Sequence, residues 1–281
     1  LVEQLTRVAC VYAVSGLVLS QGKTPTINVA VVGLTVGEFF SMIVSVVSIY
    51  CCCFQKRAGS VSAPVGAIYK SILGMALPLT ANRIVLNLLQ SVESVSIPAK
   101  LRAYGYDTST ALSVYGVLTG MAMPLIFFPN ALTNSVAVLL LPLISESYAL
   151  GNLQAVRQSA LRTIKYCCLL GLFCMCGFGL FGKWAGNVLF GSPLAGHFIT
   201  TLGFICPFMY LDTTLSSILQ GLGQAGKIFV MNVICLFVRL AFVFFAIPVL
   251  GITGYLWGIL ASQILQSLLY LGCLHRFLKH T

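Results

Sequence analysis

The chain has 281 residues, of which 58% are hydrophobic and 8% charged, and its mean hydropathy is +0.98. A soluble domain of this size could not keep so much apolar surface out of water, so the composition excludes the ordinary globular classes and points to an integral membrane protein. The net charge of +10 would suggest nucleic acid in another setting, but in a chain that crosses a membrane repeatedly Lys and Arg first report topology, and no nucleic-acid partner is expected.

A helix needs about 20 apolar residues to cross roughly 30 Å of hydrocarbon. About eight runs meet that length: 5–21, 27–53, 71–97, 112–141, 161–181, 198–219, 228–249 and 253–274. The expected class is therefore an all-α polytopic membrane protein. The first run opens at Leu1 in "LVEQLTRVACVYAVSGLVLS", with no initiator Met and no signal-peptide organisation, so the chain is expected to lack helices that precede it. The second run holds Glu38 near its middle, in "VVGLTVGEFF", where Gly33 and Gly37 permit close helix approach. A carboxyl at that depth is paired, protonated or part of an ion path. The polar stretch "QKRAGSVSAPVGAIYK" that follows reads as an inter-lobe linker over residues 56–70. Residues 1–55 are then the last two helices of one lobe, and 71–281 a second lobe of six.

The third run is the least ordinary. "ANRIVLNLLQSVESVSIP" places Arg83, Asn87, Gln90 and Ser94 within roughly 60° on a helical wheel, with Asn82 and Glu93 on one flank and Ile84, Val85, Leu88, Val92 and Val95 opposite. Such groups either join helices through hydrogen bonds or line a polar cavity. Arg83 lies near the midpoint, about 15 Å from either interface, too deep to snorkel out easily, and pairing with Glu38 on the preceding span is one reading of both. In the fourth run, "PLIFFPNALTN" puts Asn130 and Asn134 on one face beside Pro124 and Pro129, where prolines free backbone carbonyls and bend helices that line cavities. Further on, Asp212 and Arg239 fall at comparable depth on consecutive spans joined by "GLGQAGK", and a structural ion pair is expected between them.

Lys56, Arg57, Lys70, Arg157, Arg162, Lys165, Lys227, Arg276 and Lys279 fall on one set of alternating connections, against Lys23, Lys100, Arg102 and Lys183 on the other. The richer set is expected to be cytoplasmic, which places the C-terminus inside. The 11 cysteines fall in or beside spans as small apolar packing residues; "CCCFQKR" has lipidation as its alternative, and "CMC" lacks the partners of a metal site, so no metal is expected. A faint repeat at an offset of 225 aligns Ile27, Gly33, Glu38 and Ser41 with Ile252, Gly258, Gln263 and Gln266, the kind of duplication on which transporters are built.

The run "SVESVSIPAKLRAYGYDTSTALSVYGVLTGMAMPLIFFPNALTNSVAVLLLPLISESYALGN", with "LSSILQGLGQAGK" and "PVLGITGYLWG" after it, resembles the stage V sporulation protein B-like polysaccharide exporters. These belong to the multidrug, oligosaccharidyl-lipid and polysaccharide exporter superfamily, which includes lipid II flippases. The resemblance implies two bundles of six helices about a central cavity, of which this chain would supply helices five to twelve, in a bacterial cytoplasmic membrane. It implies a flippase for a lipid-linked oligosaccharide or peptidoglycan precursor, working by alternating access in cell-wall, spore or polysaccharide biosynthesis, with Arg83 as a headgroup cation beside Asn87, Gln90, Asn130 and Asn134. A cluster of several cavity arginines, expected of lipid II flippases, is not visible here. The alternatives are a multidrug antiporter of the same superfamily coupled to Na+ or H+, with Glu38 central and Glu93 a second candidate, and a membrane-embedded glycan-modifying enzyme, disfavoured because His197, His275 and His280 lie near span ends.

Overall fold

A computed structural model describes the backbone of residues 2–20, 27–55 and 65–280, with side chains over 5–20, 31–51, 80, 83–277 and 279. The described residues are helices joined by short turns, with no strand among them. They form two compact units, Leu1–Leu73 and Gly74–Thr281.

The first unit contains α1 (Val2–Ser20) and α2 (Ile27–Gln55), packed against each other. Gly33 makes the contact close, since a Cβ there would collide with the Val11 side chain. Next comes α3 (Val65–Tyr104), which belongs to the second unit from Gly74 on. The expected linker is thus already helical from Val65, and its residues 56–64 lie outside the described residues.

In the second unit α3 is followed by α4 (Thr108–Val117), one π-helical turn (Leu118–Ala122), α5 (Met123–Phe127), α6 (Asn130–Ala149), α7 (Leu153–Phe190), α8 (Pro193–Gly203), α9 (Cys206–Gly221), α10 (Ala225–Phe245), α11 (Ile247–Leu250) and α12 (Ile252–His280). Local chemistry sets the ends. Asp107 caps α4, its Oδ1 accepting the Thr110 N–H at 3.2 Å, and bonds from Ser109 and Thr110 hold its carboxyl pKa down at about 2. Gly191 closes α7 in the left-handed region (φ 59°, ψ 22°), which lets the Ser192 N–H reach back to the Gly186 carbonyl at 3.1 Å.

Among the described residues six stretches are long and apolar enough to cross a membrane: 31–51, Thr108–Phe127, Asn130–Ala149, Leu153–Phe190, Ala225–Phe245 and 252–277. The pair α8 and α9, bent by 55°, makes a seventh. The expected single span 112–141 is therefore divided. Pro129 has no N–H to give the Leu125 carbonyl, which takes the Phe128 N–H at 3.4 Å instead. Phe128 (φ −56°, ψ −49°) and Pro129 (φ −67°, ψ −21°) keep helical dihedrals, so the chain bends there and does not reverse. Pro207 acts likewise after the α8–α9 bend, where it seats on Gly171 of α7.

Two apolar cores result. One gathers Ile97, Leu118, Phe198, Tyr210, Val243 and Leu256; the other gathers Leu140, Val156, Ile218, Ile228, Tyr270 and Leu274. On α10 the residues between the two cores include Asn232 and Arg239, and on α12 they include Ser262, Gln263, Gln266 and Ser267. Asn130 and Thr133 sit at the same level on α6, and Asp212 on α9. The second unit therefore has a polar waist between two oily ends.

Candidate functional site

The waist is organised by Glu93 of α3, which is 4% exposed. Arg239 of α10 reaches it with two nitrogens: Nε lies 2.6 Å from Oε1, and Nη2 donates to Oε2 at 2.7 Å. Tyr255 of α12 donates its hydroxyl to Oε1 at 3.0 Å. With two hydrogen bonds, from Arg239 Nη2 and the Tyr255 hydroxyl, and the guanidinium charge beside it, the carboxylate meets the demand that a buried charge be paired and hydrogen-bonded. One residue thereby ties three helices together.

This corrects the expected Asp212–Arg239 ion pair. Asp212 lies nine residues before the end of α9 and Arg239 fourteen after the start of α10, a mismatch in depth of about 7 Å at the helical rise. Glu93 matches better, eleven residues before Tyr104, with Arg239 eleven before Leu250. Asp212, 5% exposed, accepts the Ser267 hydroxyl on Oδ1 at 2.6 Å, while its Oδ2 has no hydrogen-bond partner among the described residues. Glu38 also differs from expectation: its side chain is 68% exposed, and its ion-pair partner is Arg7 of its own hairpin, 3.7 Å away.

Two polar cavities flank the Glu93–Arg239 pair. One, of about 320 Å³, is lined by Gln90, Ser94, Tyr115, Thr119 and Gln263 among others; the other, of about 240 Å³, by Asn232, Ser262 and Gln266. Gln90 and Arg239 border both. In the wall of the second, Asn232 Oδ1 accepts from Gln266 Nε2 at 3.0 Å and from the Tyr270 hydroxyl at 2.5 Å.

Arg83 and Asn87 are exposed and line neither cavity. Together with Gln90 and Ser94 they form a strip along α3 between its buried edge (Glu93, Ile97, Leu101) and an exposed apolar edge (Ile84, Leu88, Val92, Val95). The Asn82 side chain lies outside the described residues. Asn130 is engaged structurally, its Oδ1 accepting from Thr133 at 2.5 Å and Thr213 at 3.2 Å, and Asn134 is exposed on α6. Tyr255 was not among the candidates; its signal lay in the quoted run "PVLGITGYLWG", whose YLWG turn opens α12.

No protein-family profile matches the chain. It is 27% identical over 285 residues to stage V sporulation protein B of Bacillus subtilis (strain 168), across 98% of this chain and 54% of that protein. It is 27% identical over 222 residues to sporulation protein YkvU of the same organism, across 75% of this chain and 48% of that one. The chain thus spans about half the length of these relatives. Among solved structures it resembles the outward-facing conformation of a multidrug resistance MATE family transporter of the MOP superfamily, with TM-score 0.66 and 19% identity over 89% of this chain and 57% of that one. The inward-facing conformation of such a transporter matches with TM-score 0.56 and 21% identity over 90% and 59%. The fold is that of an all-helical membrane transporter.

Proposed function

We propose that the chain is part of a flippase that carries the anionic headgroup of a lipid-linked oligosaccharide or peptidoglycan precursor across the cytoplasmic membrane. The carrying observation is the polar strip of α3. Arg83 is the nineteenth of its 40 residues and stays exposed, with Asn87 and Gln90 one and two turns on. An exposed guanidinium at mid-span needs water or an anion around it, because hydrocarbon would leave the charge unsolvated. A phosphate or pyrophosphate accepts its fork of donors bidentately, and Asn87 and Gln90 offer amides for sugar hydroxyls. The Glu93–Arg239–Tyr255 cluster holds α3 against α10 and α12 so that the strip faces outward. The similarity to two sporulation proteins supports a role in spore or cell-wall assembly, and the basic end of the bundle supports a cytoplasmic C-terminus.

The test is equilibrium binding of a polyprenyl diphosphate sugar to the intact protein. Arg83→Ala is expected to lose most of the affinity without loss of accumulation, and Arg83→Lys to retain part of it, since an ammonium keeps the charge but not the fork. Unchanged affinity in the alanine variant would refute the assignment.

A second reading, cation-coupled antiport, is favoured by one observation: the Oδ2 of buried Asp212, which has no hydrogen-bond partner among the described residues. Coupling to Na+ or H+ would then rest on Asp212, because Glu93 is already neutralised by Arg239 and Glu38 is paired with Arg7. The two solved structures that the chain resembles are of transporters.

A further inference from the structure

A groove at one end of the second unit is distinct from the waist and from the α3 strip. It lies between the start of α10 and the end of α12, has a volume of about 930 Å³, and is rimmed by Lys227 and Arg276. Both side chains are exposed, and neither has an ion pair or hydrogen bond among the described residues. Glu146, the described carboxylate nearest this end of the bundle by its place on α6, does not line the groove.

Depth sorts the lining. Lys227 is the third residue of α10, and Met231 stands one turn deeper. On α12 the groove runs from Arg276 inward past Gly272 to Leu269 and Leu268, the last 61% exposed. Arg276 to Leu268 is eight residues, about 12 Å along the axis. Gly272 keeps the floor open, since a Cβ built there meets nothing within 4 Å. Cations above and an oily furrow below make the outline of a lipid with a negative headgroup. Basic pockets between transmembrane helices at the more basic membrane face take such headgroups, and Arg157, Arg162 and Lys165 belong to the same end. Simple snorkelling would explain the two cations but not the open furrow beneath them.

We propose that this groove binds an anionic phospholipid of the surrounding membrane, its phosphate between Lys227 and Arg276 and an acyl chain along Met231, Gly272 and Leu268. The site is separate from the α3 strip and stands whether or not that strip binds a lipid-linked glycan.

The test is native mass spectrometry of the full chain with phosphatidylglycerol or phosphatidylcholine added, alongside thermal unfolding in detergent. The wild-type protein is expected to retain phosphatidylglycerol preferentially. Lys227→Gln with Arg276→Gln should lower that affinity roughly tenfold or more, and Gly272→Leu should remove retention of both lipids while the detergent melting curve stays in place. The proposal is overturned if either variant keeps the wild-type preference. Loss in the charge variant with retention in Gly272→Leu would mean diffuse attraction with no groove site. Displacement of phosphatidylglycerol by an equimolar polyprenyl phosphate would assign the groove to substrate and overturn it equally.

Discussion

At the scale of residues, the waist is decided by which cation meets which carboxylate. Glu93 is nearly sealed and Arg239 about a quarter exposed, so removing one partner strands the other. Breaking such a pair costs about 3 to 5 kcal/mol, whereas replacing both partners by groups of similar volume is often close to neutral. Glu93→Gln or Arg239→Met alone should therefore lower the melting temperature of the purified protein, and Glu93→Gln with Arg239→Met should recover much of the loss. Asp212→Asn should gain nothing from Arg239→Met, because Asp212 bonds Ser267. Rescue of Asp212→Asn by Arg239→Met would restore the pairing read from the sequence. That reading failed because depth was counted along the chain, and neighbouring helices of unequal overhang do not share a register.

At the scale of elements, helix positions were legible and helix breaks less so. Apolar length locates a span whatever its neighbours do, but Pro129 and Pro207 change direction by amounts that only packing decides. Buried tertiary partners take up the groups that are freed: the Tyr210 hydroxyl donates to the Ile126 carbonyl at 3.2 Å beside the Pro129 break. Close approach of α7 and α8 depends on residues without side chains. A Cβ at Gly186 would overlap the Gly196 backbone nitrogen, while one at Gly177 meets nothing within 4 Å. Gly186→Ala should then destabilise the protein by about 1 to 3 kcal/mol through forced separation of the helices. Gly177→Ala should be neutral or stabilising by up to about 1 kcal/mol, since glycine is the poorer helix former. Thermal unfolding of both variants checks the contrast, and equal effects would refute it.

At the scale of the whole molecule, the faint repeat places two glycines in like positions. Gly33 and its counterpart 225 residues on, Gly258, each press on a preceding helix, against Val11 and Phe242. Four matching residues cannot establish a duplication in so biased a composition, and two related lobes are proposed from the repeat alone. The strip of α3 was legible because a charge at mid-span stands out against hydrocarbon, whereas Tyr255 and the Asn232–Gln266–Tyr270 network looked like ordinary interior residues until the fold brought them to one level. The uneven Lys and Arg predict a topology. With native thiols removed, Leu150→Cys should react with an impermeant reagent from the cytoplasmic face and Thr108→Cys from the opposite face, and labelling of both from one face would contradict the bundle order. The most direct measurement is leaflet translocation of a fluorescent polyprenyl diphosphate sugar by the intact protein in proteoliposomes. Transport is expected with the wild-type protein, and near-complete loss with an Arg83→Ala protein that is equally abundant and equally stable. Normal flipping by that variant, or none by the wild type, would contradict the account.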